Sequence, residues 1–121
     1  MSETQESPLL EREDFGDVTV LRLNVPMLRG DETTDTLFEQ ASAMVDEGQR
    51  CRLVLNCRLV VFLASVALGR LVALMRKVRS AGGRLTLCKV TRTLQELLRV
   101  SRLADILLSY DDEQEAVRSF A

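Results

Sequence analysis

The chain has 121 residues, 46% of them hydrophobic and 28% charged, with a formal net charge of −2. That length fits one domain with a single sizeable core and is too short for two. Four Phe, one Tyr and no Trp leave few aromatic surfaces for stacking nucleic-acid bases, and the absence of histidine removes Ser-His-Asp and Cys-His catalysis and the commonest nitrogen ligand of zinc.

Residues 1–8 read as a flexible arm ahead of one domain over residues 9–121. This start lacks the basic and apolar regions of a secretory signal. Leu9 to Asp14 is a candidate edge strand, and Phe15-Gly16-Asp17 supplies turn chemistry before Val18 to Leu23, whose β-branched alternation predicts a second strand and a hairpin. Pro26 and Gly30 interrupt the chain. Asp31 then caps a predicted helix with Glu32 and Asp35 in its first turn, favourable beside the positive helix end. Thr34, Leu37, Phe38, Ala41, Met44 and Val45 keep helical spacing until Gly48.

Arg52 to Asn56 is short and almost wholly apolar, as a central strand covered on both faces must be. Val60 to Leu63 either extends it or approaches the next helix as a loop. That helix runs from about Ser65 to Ser80 and ends at Ala81-Gly82-Gly83. Arg84 to Cys88 is a further strand, Thr91 to Val100 a short helix, Ile106 to Tyr110 a last strand, and Asp111 to about Phe120 an acid-capped helix. The order ββαβαβαβα, with long crossovers, calls for an α/β fold whose mainly parallel sheet of four to five strands carries about four helices behind an N-terminal hairpin.

Cys51, Cys57 and Cys88 are odd in number and form no C-x-x-C. An extended strand would hold the first two about 20 Å apart, so all three read as reduced core thiols of a cytoplasmic protein. Arg70, Arg76 and Lys77 break the apolar run from Leu68 to Val78, which excludes a membrane span there. No phosphate-cradling glycine motif occurs, and no cofactor or metal is expected. Charge is arranged in blocks: Met1 to Gly48 carries twelve acidic and three basic residues, Arg70 to Arg102 nine basic and one acidic. Those basic residues fall on the solvent phases of predicted helices, which favours a solvated face or an acidic protein partner over nucleic acid.

At 100° per residue, Ala67, Leu68, Leu71, Val72, Leu74, Met75 and Val78 share one arc of the helix from Ser65 and form its core face. Gly69, Arg70, Ala73, Arg76, Lys77 and Ser80 occupy the other arc, with Val66 in its middle. An exposed valine beside small residues and two cations fits a flat contact surface of Ala64, Ser65, Val66, Gly69, Arg70, Ala73 and Lys77. The alternative is Val66 tucked under a neighbouring loop. Ser65 has two readings as well, an N-cap that satisfies a backbone N–H or a phosphoacceptor whose modification adds about −1.5 to −2 charges.

The predicted element order, with Leu53-Val54-Leu55-Asn56, Leu68-Gly69 and Ala81 to Cys88, resembles a STAS domain of the bacterial anti-sigma-factor antagonist family from about Asp17 to Phe120. Members typically show Asp-Ser-[Ser/Thr]-Gly-Leu-Gly; Ala64-Ser65-Val66-Ala67-Leu68-Gly69 stands in that place and keeps the serine, the leucine and the second glycine. The resemblance implies a non-enzymatic module that binds an anti-sigma factor, itself a serine kinase, with Ser65 as the phosphoacceptor. A constitutive STAS subunit contacting a transporter ATPase of the ABC type or a stress-signalling scaffold is the alternative it implies. Homodimer formation is left open.

Overall fold

The structure is a computed structural model describing residues 9–48 and 51–120, so the expected arm at residues 1–8 lies outside the described residues. In chain order the elements are β1 (Leu10–Phe15), β2 (Val18–Leu23), β3 (Met27–Leu28), α1 (Glu32–Gly48), β4 (Arg52–Asn56), β5 (Phe62–Leu63), α2 (Ser65–Ser80), β6 (Arg84–Cys88), α3 (Arg92–Val100), β7 (Ser109–Tyr110) and α4 (Glu113–Arg118). β1 and β2 form the expected antiparallel hairpin, with Gly16 at φ +63° in the first loop position that such a tight turn reserves for glycine. From β2 onward the main sheet is parallel, in the order β1-β2-β4-β6-β7.

Side-chain alternation divides that sheet into two cores. Leu21 and Leu23, Leu53 and Leu55, and Leu85 and Leu87 point toward α1, α2 and α3, where they meet Leu37, Phe38, Leu71, Met75, Leu94 and Leu98. Val18, Val20, Val54 and Cys88 point the other way and pack under Ala116 of α4, with Tyr110, Val117 and Phe120 at the margin. Leu53, Val54 and Leu55 are thus buried from both sides, as their uninterrupted apolar run requires.

Caps follow the sequence at three helices. The Asp31 carboxylate accepts from the Thr34 amide and hydroxyl, at 3.1 and 3.0 Å, and these bonds hold it below the usual carboxylate range. Thr91 accepts from the Leu94 amide, and Asp112 from the Glu115 amide. At α2 the capping reading of Ser65 is corrected. Ala64 is the cap residue, with no side-chain oxygen to offer, and Ser65 is the first residue of the helix. Gly83, after α2, is fixed by close approach: a Cβ there would stand 1.7 Å from the Cys51 carbonyl oxygen.

Two segments differ from the sequence expectation. Val60 to Leu63 neither extends β4 nor stays a loop; Phe62–Leu63 pairs in parallel with Met27–Leu28 as a separate two-stranded sheet. Such two-residue strands carry no periodicity for a sequence to display. The last strand is shorter than Ile106 to Tyr110, because bonds from Ile106 and Leu107 back to the Leu103 carbonyl keep the chain coiled until Leu108 reaches β6. α4 is correspondingly confined to Glu113–Arg118.

One polar cluster ties the outer helix to the sheet. The Arg22 guanidinium donates to Glu113 at 2.7 and 2.9 Å, to Glu11 at 3.1 Å and to Glu13 at 2.7 Å, while Asn56 donates to Glu113 at 2.6 Å. Arg22 first, then Asn56, holds the Glu113 carboxyl below the usual range against the opposing effect of burial. Replacing Glu113 by Gln is expected to cost about 1–3 kcal/mol near neutral pH, the scale of hydrogen bonds to charged groups. The contribution is complete above the ordinary glutamate value of 4.5 and is lost as pH falls through the lower folded value. Urea denaturation of wild type and variant should therefore differ at pH 7 and converge in acid. A second expectation concerns the empty cap. Ala64→Asp should add about 0.5–2 kcal/mol and raise the melting midpoint by several degrees, whereas Ser65→Ala should change stability by less than about 0.5 kcal/mol. Thermal denaturation followed by circular dichroism checks both.

Candidate functional site

The pairs β2–β4, β4–β6 and β6–β7 of the main sheet are all parallel, so these strands finish at the same edge and the helices that come after them begin there. The start of α2 is held there by the small sheet. The Ala64 amide donates to the Leu28 carbonyl at 2.9 Å, extending the β3–β5 pairing by one bond, and the Ala64 carbonyl accepts the first helical bond from Leu68 at 2.9 Å. Ser65 follows immediately and is exposed. Ala67, where the resembled motif has glycine, turns its methyl fully into the core.

Val66 is 59% exposed, yet it is not alone. The loop between β3 and α1 passes beside it so closely that a Cβ on Gly30 would lie 3.2 Å from the Val66 Cβ. Both sequence readings of Val66 thus hold a part of the geometry: a loop flanks one side and solvent meets the other. Gly69, one turn on, has nothing within 4 Å of where a Cβ would stand, and leaves the surface flat.

The remaining residues of the expected surface lie in a seam. Arg70 pairs with Asp35, and Lys77 pairs with Asp46 at 2.7 Å, so both cations are satisfied by α1. Together with Ala73, Phe38 and Ser42 they line a shallow groove of about 240 Å³ between the two helices. The predicted set is therefore brought onto one helix but in two parts: an apolar start at Ala64, Ser65, Val66 and Gly69, and a charge-paired seam at Arg70, Ala73 and Lys77. Sequence reasoning missed Gly30 and the two α1 acids. The acid-rich solvent face of α1 was the available signal for the latter.

At its apolar start this surface carries the exposed Ser65 hydroxyl, and along the seam it carries the two ion pairs with Glu39 and Ser42 beside them. Among the described residues no group of three or more His, Cys, Asp or Glu is arranged to hold a metal ion. No described helix is long and apolar enough to cross a membrane. The cysteines are free, and burial pushes the Cys57 and Cys88 thiols up to about 12.

Comparison with known proteins gives this surface a context. No curated protein sequence matches the chain. Solved structures similar in fold include an anti-sigma-factor antagonist (STAS) domain protein from Planctomyces limnophilus, 22% identical, covering 93% of this chain and 97% of that one with a TM-score of 0.80. An anti-sigma factor antagonist from Thermotoga maritima is 20% identical over 91% and 92% of the two chains, with a TM-score of 0.77. The phosphorylated form of the Bacillus cell fate determinant SpoIIAA is 20% identical over 93% and 99%, with a TM-score of 0.71. A profile described as the STAS domain matches residues 10–116, nearly the whole described chain, and the protein belongs to the STAS domain family.

Proposed function

We propose that this protein is a non-enzymatic regulatory module of the cytoplasm that binds an anti-sigma factor through the start of α2, and that phosphorylation of Ser65 by that partner switches the contact off. The observation that carries the reading is the exposed Ser65-Val66 pair at a helix start with no side-chain cap. Support also comes from the fold shared with proteins described as anti-sigma factor antagonists, and from SpoIIAA, whose structures are described in unphosphorylated and phosphorylated forms.

The physical logic is one of accessibility and charge. A partner that buries Val66 gains apolar contact, with Gly69 allowing close approach. A phosphate on Ser65 would sit beside that contact, favourable to the helix end but costly to desolvate under a partner. A kinase supplies its own catalytic base, so Ala64 need not provide a carboxylate. Because Arg70 and Lys77 are already paired with Asp35 and Asp46, their contribution to an acidic partner would be long-range steering more than direct pairing.

The test begins with affinity capture from the source organism, comparing wild type with Val66→Asp as bait. The anti-sigma factor should be retained by the first and lost by the second. Calorimetric titration of the recovered partner should then show Ser65→Ala binding like wild type and Ser65→Asp weakened at least about tenfold, the effect of a charge in a desolvated contact. Intact-mass measurement after incubation with partner and ATP should show one phosphate on wild type and none on Ser65→Ala. Equal binding by wild type and Val66→Asp would remove this surface from the interface, while equal binding by wild type and Ser65→Asp would remove the switch.

A further inference from the structure

One cation beside Ser65 is held by no carboxylate. Arg29 follows β3, and three contacts fix the path of the chain there. Leu28 is the register partner of Leu63, the Leu28 carbonyl accepts from the Ala64 amide at 2.9 Å, and a Cβ on Gly30 would lie 3.2 Å from the Val66 Cβ. Arg29, between Leu28 and Gly30, therefore runs alongside the step from Ala64 to Ser65, about one strand spacing away, roughly 4.8 Å. Leu28 and Leu63 are buried, whereas Met27 and Phe62 are exposed. Alternation puts the Arg29 side chain on the exposed face, with Ala64 as its neighbour across the pair.

The charges around this point leave Arg29 available. Arg29 is exposed, and among the described residues its guanidinium bonds the Met27 sulfur, a weak acceptor, at 2.7 Å and enters no ion pair. Asp31, two positions on, feels the charge of Arg29, but its carboxylate is bonded by the Thr34 amide and hydroxyl. Arg70 and Asp35 satisfy each other across the seam between α1 and α2. Ala64 presents a methyl where a carboxylate would face Arg29 directly.

A phosphate on Ser65 adds about −1.5 to −2 charges and three acceptor oxygens, and a guanidinium binds phosphate through two parallel hydrogen bonds. Resting on the reading of Ser65 as a phosphoacceptor, we infer that Arg29 is the residue that takes hold of that phosphate. Its guanidinium exchanges the Met27 sulfur for phosphate oxygens, and the loop between β3 and α1 is pinned across the start of α2 beside Val66. The switch then has two components, charge added to the contact and a loop fastened along one side of it. Asp31 opposes the pair by repulsion, but it stands in every variant below and does not alter their differences.

The test uses the full chain with phosphoserine installed at position 65 during synthesis, so that no kinase or partner is needed. A phosphorus NMR titration reads the second ionisation of the phosphate, ordinarily near pH ~6. Pairing with a cation favours the dianion, so the midpoint should lie about one pH unit below that of the same chain carrying Arg29→Gln. Arg29→Lys should keep most of the lowering, because the charge remains. Arg79→Gln, at the far end of α2 and about 20 Å from Ser65 along the helix, should change nothing. The Arg29 Nε–H and Gly30 amide resonances should move between the unmodified and phosphorylated chains. Equal midpoints with and without Arg29→Gln, a lowering that Arg79→Gln removes as fully, or an unmoved Arg29 Nε–H would each overturn the inference. These outcomes are separate from those of the partner experiments. Equal binding by wild type and Ser65→Asp removes the switch and leaves the charge pair to be read, whereas equal midpoints remove the pair and leave the partner's response to Ser65 as measured.

Discussion

Parallel pairing of β2, β4 and β6 is the constraint on which the rest of the molecule depends. Parallel neighbours cannot be joined by a tight turn, so each connection must travel back across a face of the sheet as a crossover. The return paths are α1 and α2, packed against one face and bound to each other by Arg70–Asp35 and Lys77–Asp46. Their matching order along both helices reflects two elements running the same way. The same connectivity gathers the helix starts at one edge, so the surface around Ser65 and the Arg22–Glu113–Asn56 cluster both belong to the end where the strands finish.

The principal layers were legible in the sequence because they rest on strong periodic signals. The run Arg52 to Asn56 announced a strand buried on both faces, and the arc from Ala67 to Val78 put the buried side of α2 where it is found, with Leu68 and Val72 at its half-buried margin. What escaped were features without periodicity. β3 and β5 have two residues each and exist through bonds such as Ala64 to Leu28, which depend on distant chain segments meeting. Ser65 missed the cap by a single residue, a shift that pattern cannot resolve when the small sheet, and not a side chain, decides where the helix begins.

The candidate surface was legible in its residues and less so in its electrostatics. Gly69, Ala73 and Val66 are exposed as their helical phase requires. Arg70 and Lys77 also lie on the predicted arc, but their charge is spent within the molecule, because α1 presents acids at matching heights. A helical wheel describes one element and is blind to its neighbour. The closeness of Phe62 and Val100, which line one open groove between β5 and α3, was invisible for the same reason: they are thirty-eight positions apart in sequence, and only the meeting of a missed strand with a short helix brings them to one surface.

The two buried thiols lie on opposite sides of the sheet. Cys57 belongs to the core beneath the crossover helices, and Cys88, held next to it through the backbone bond from the Cys57 amide to the Cys88 carbonyl, belongs to the smaller core beneath α4. Neither thiol ionises readily while buried, so a thiolate-selective reagent reaches each only when its own layer opens. The molecule thus carries a natural pair of reporters for its two layers. The layer under Glu113–Arg118 rests on a single short helix and the other on two long ones, so Cys88 is the thiol expected to react first with such a reagent.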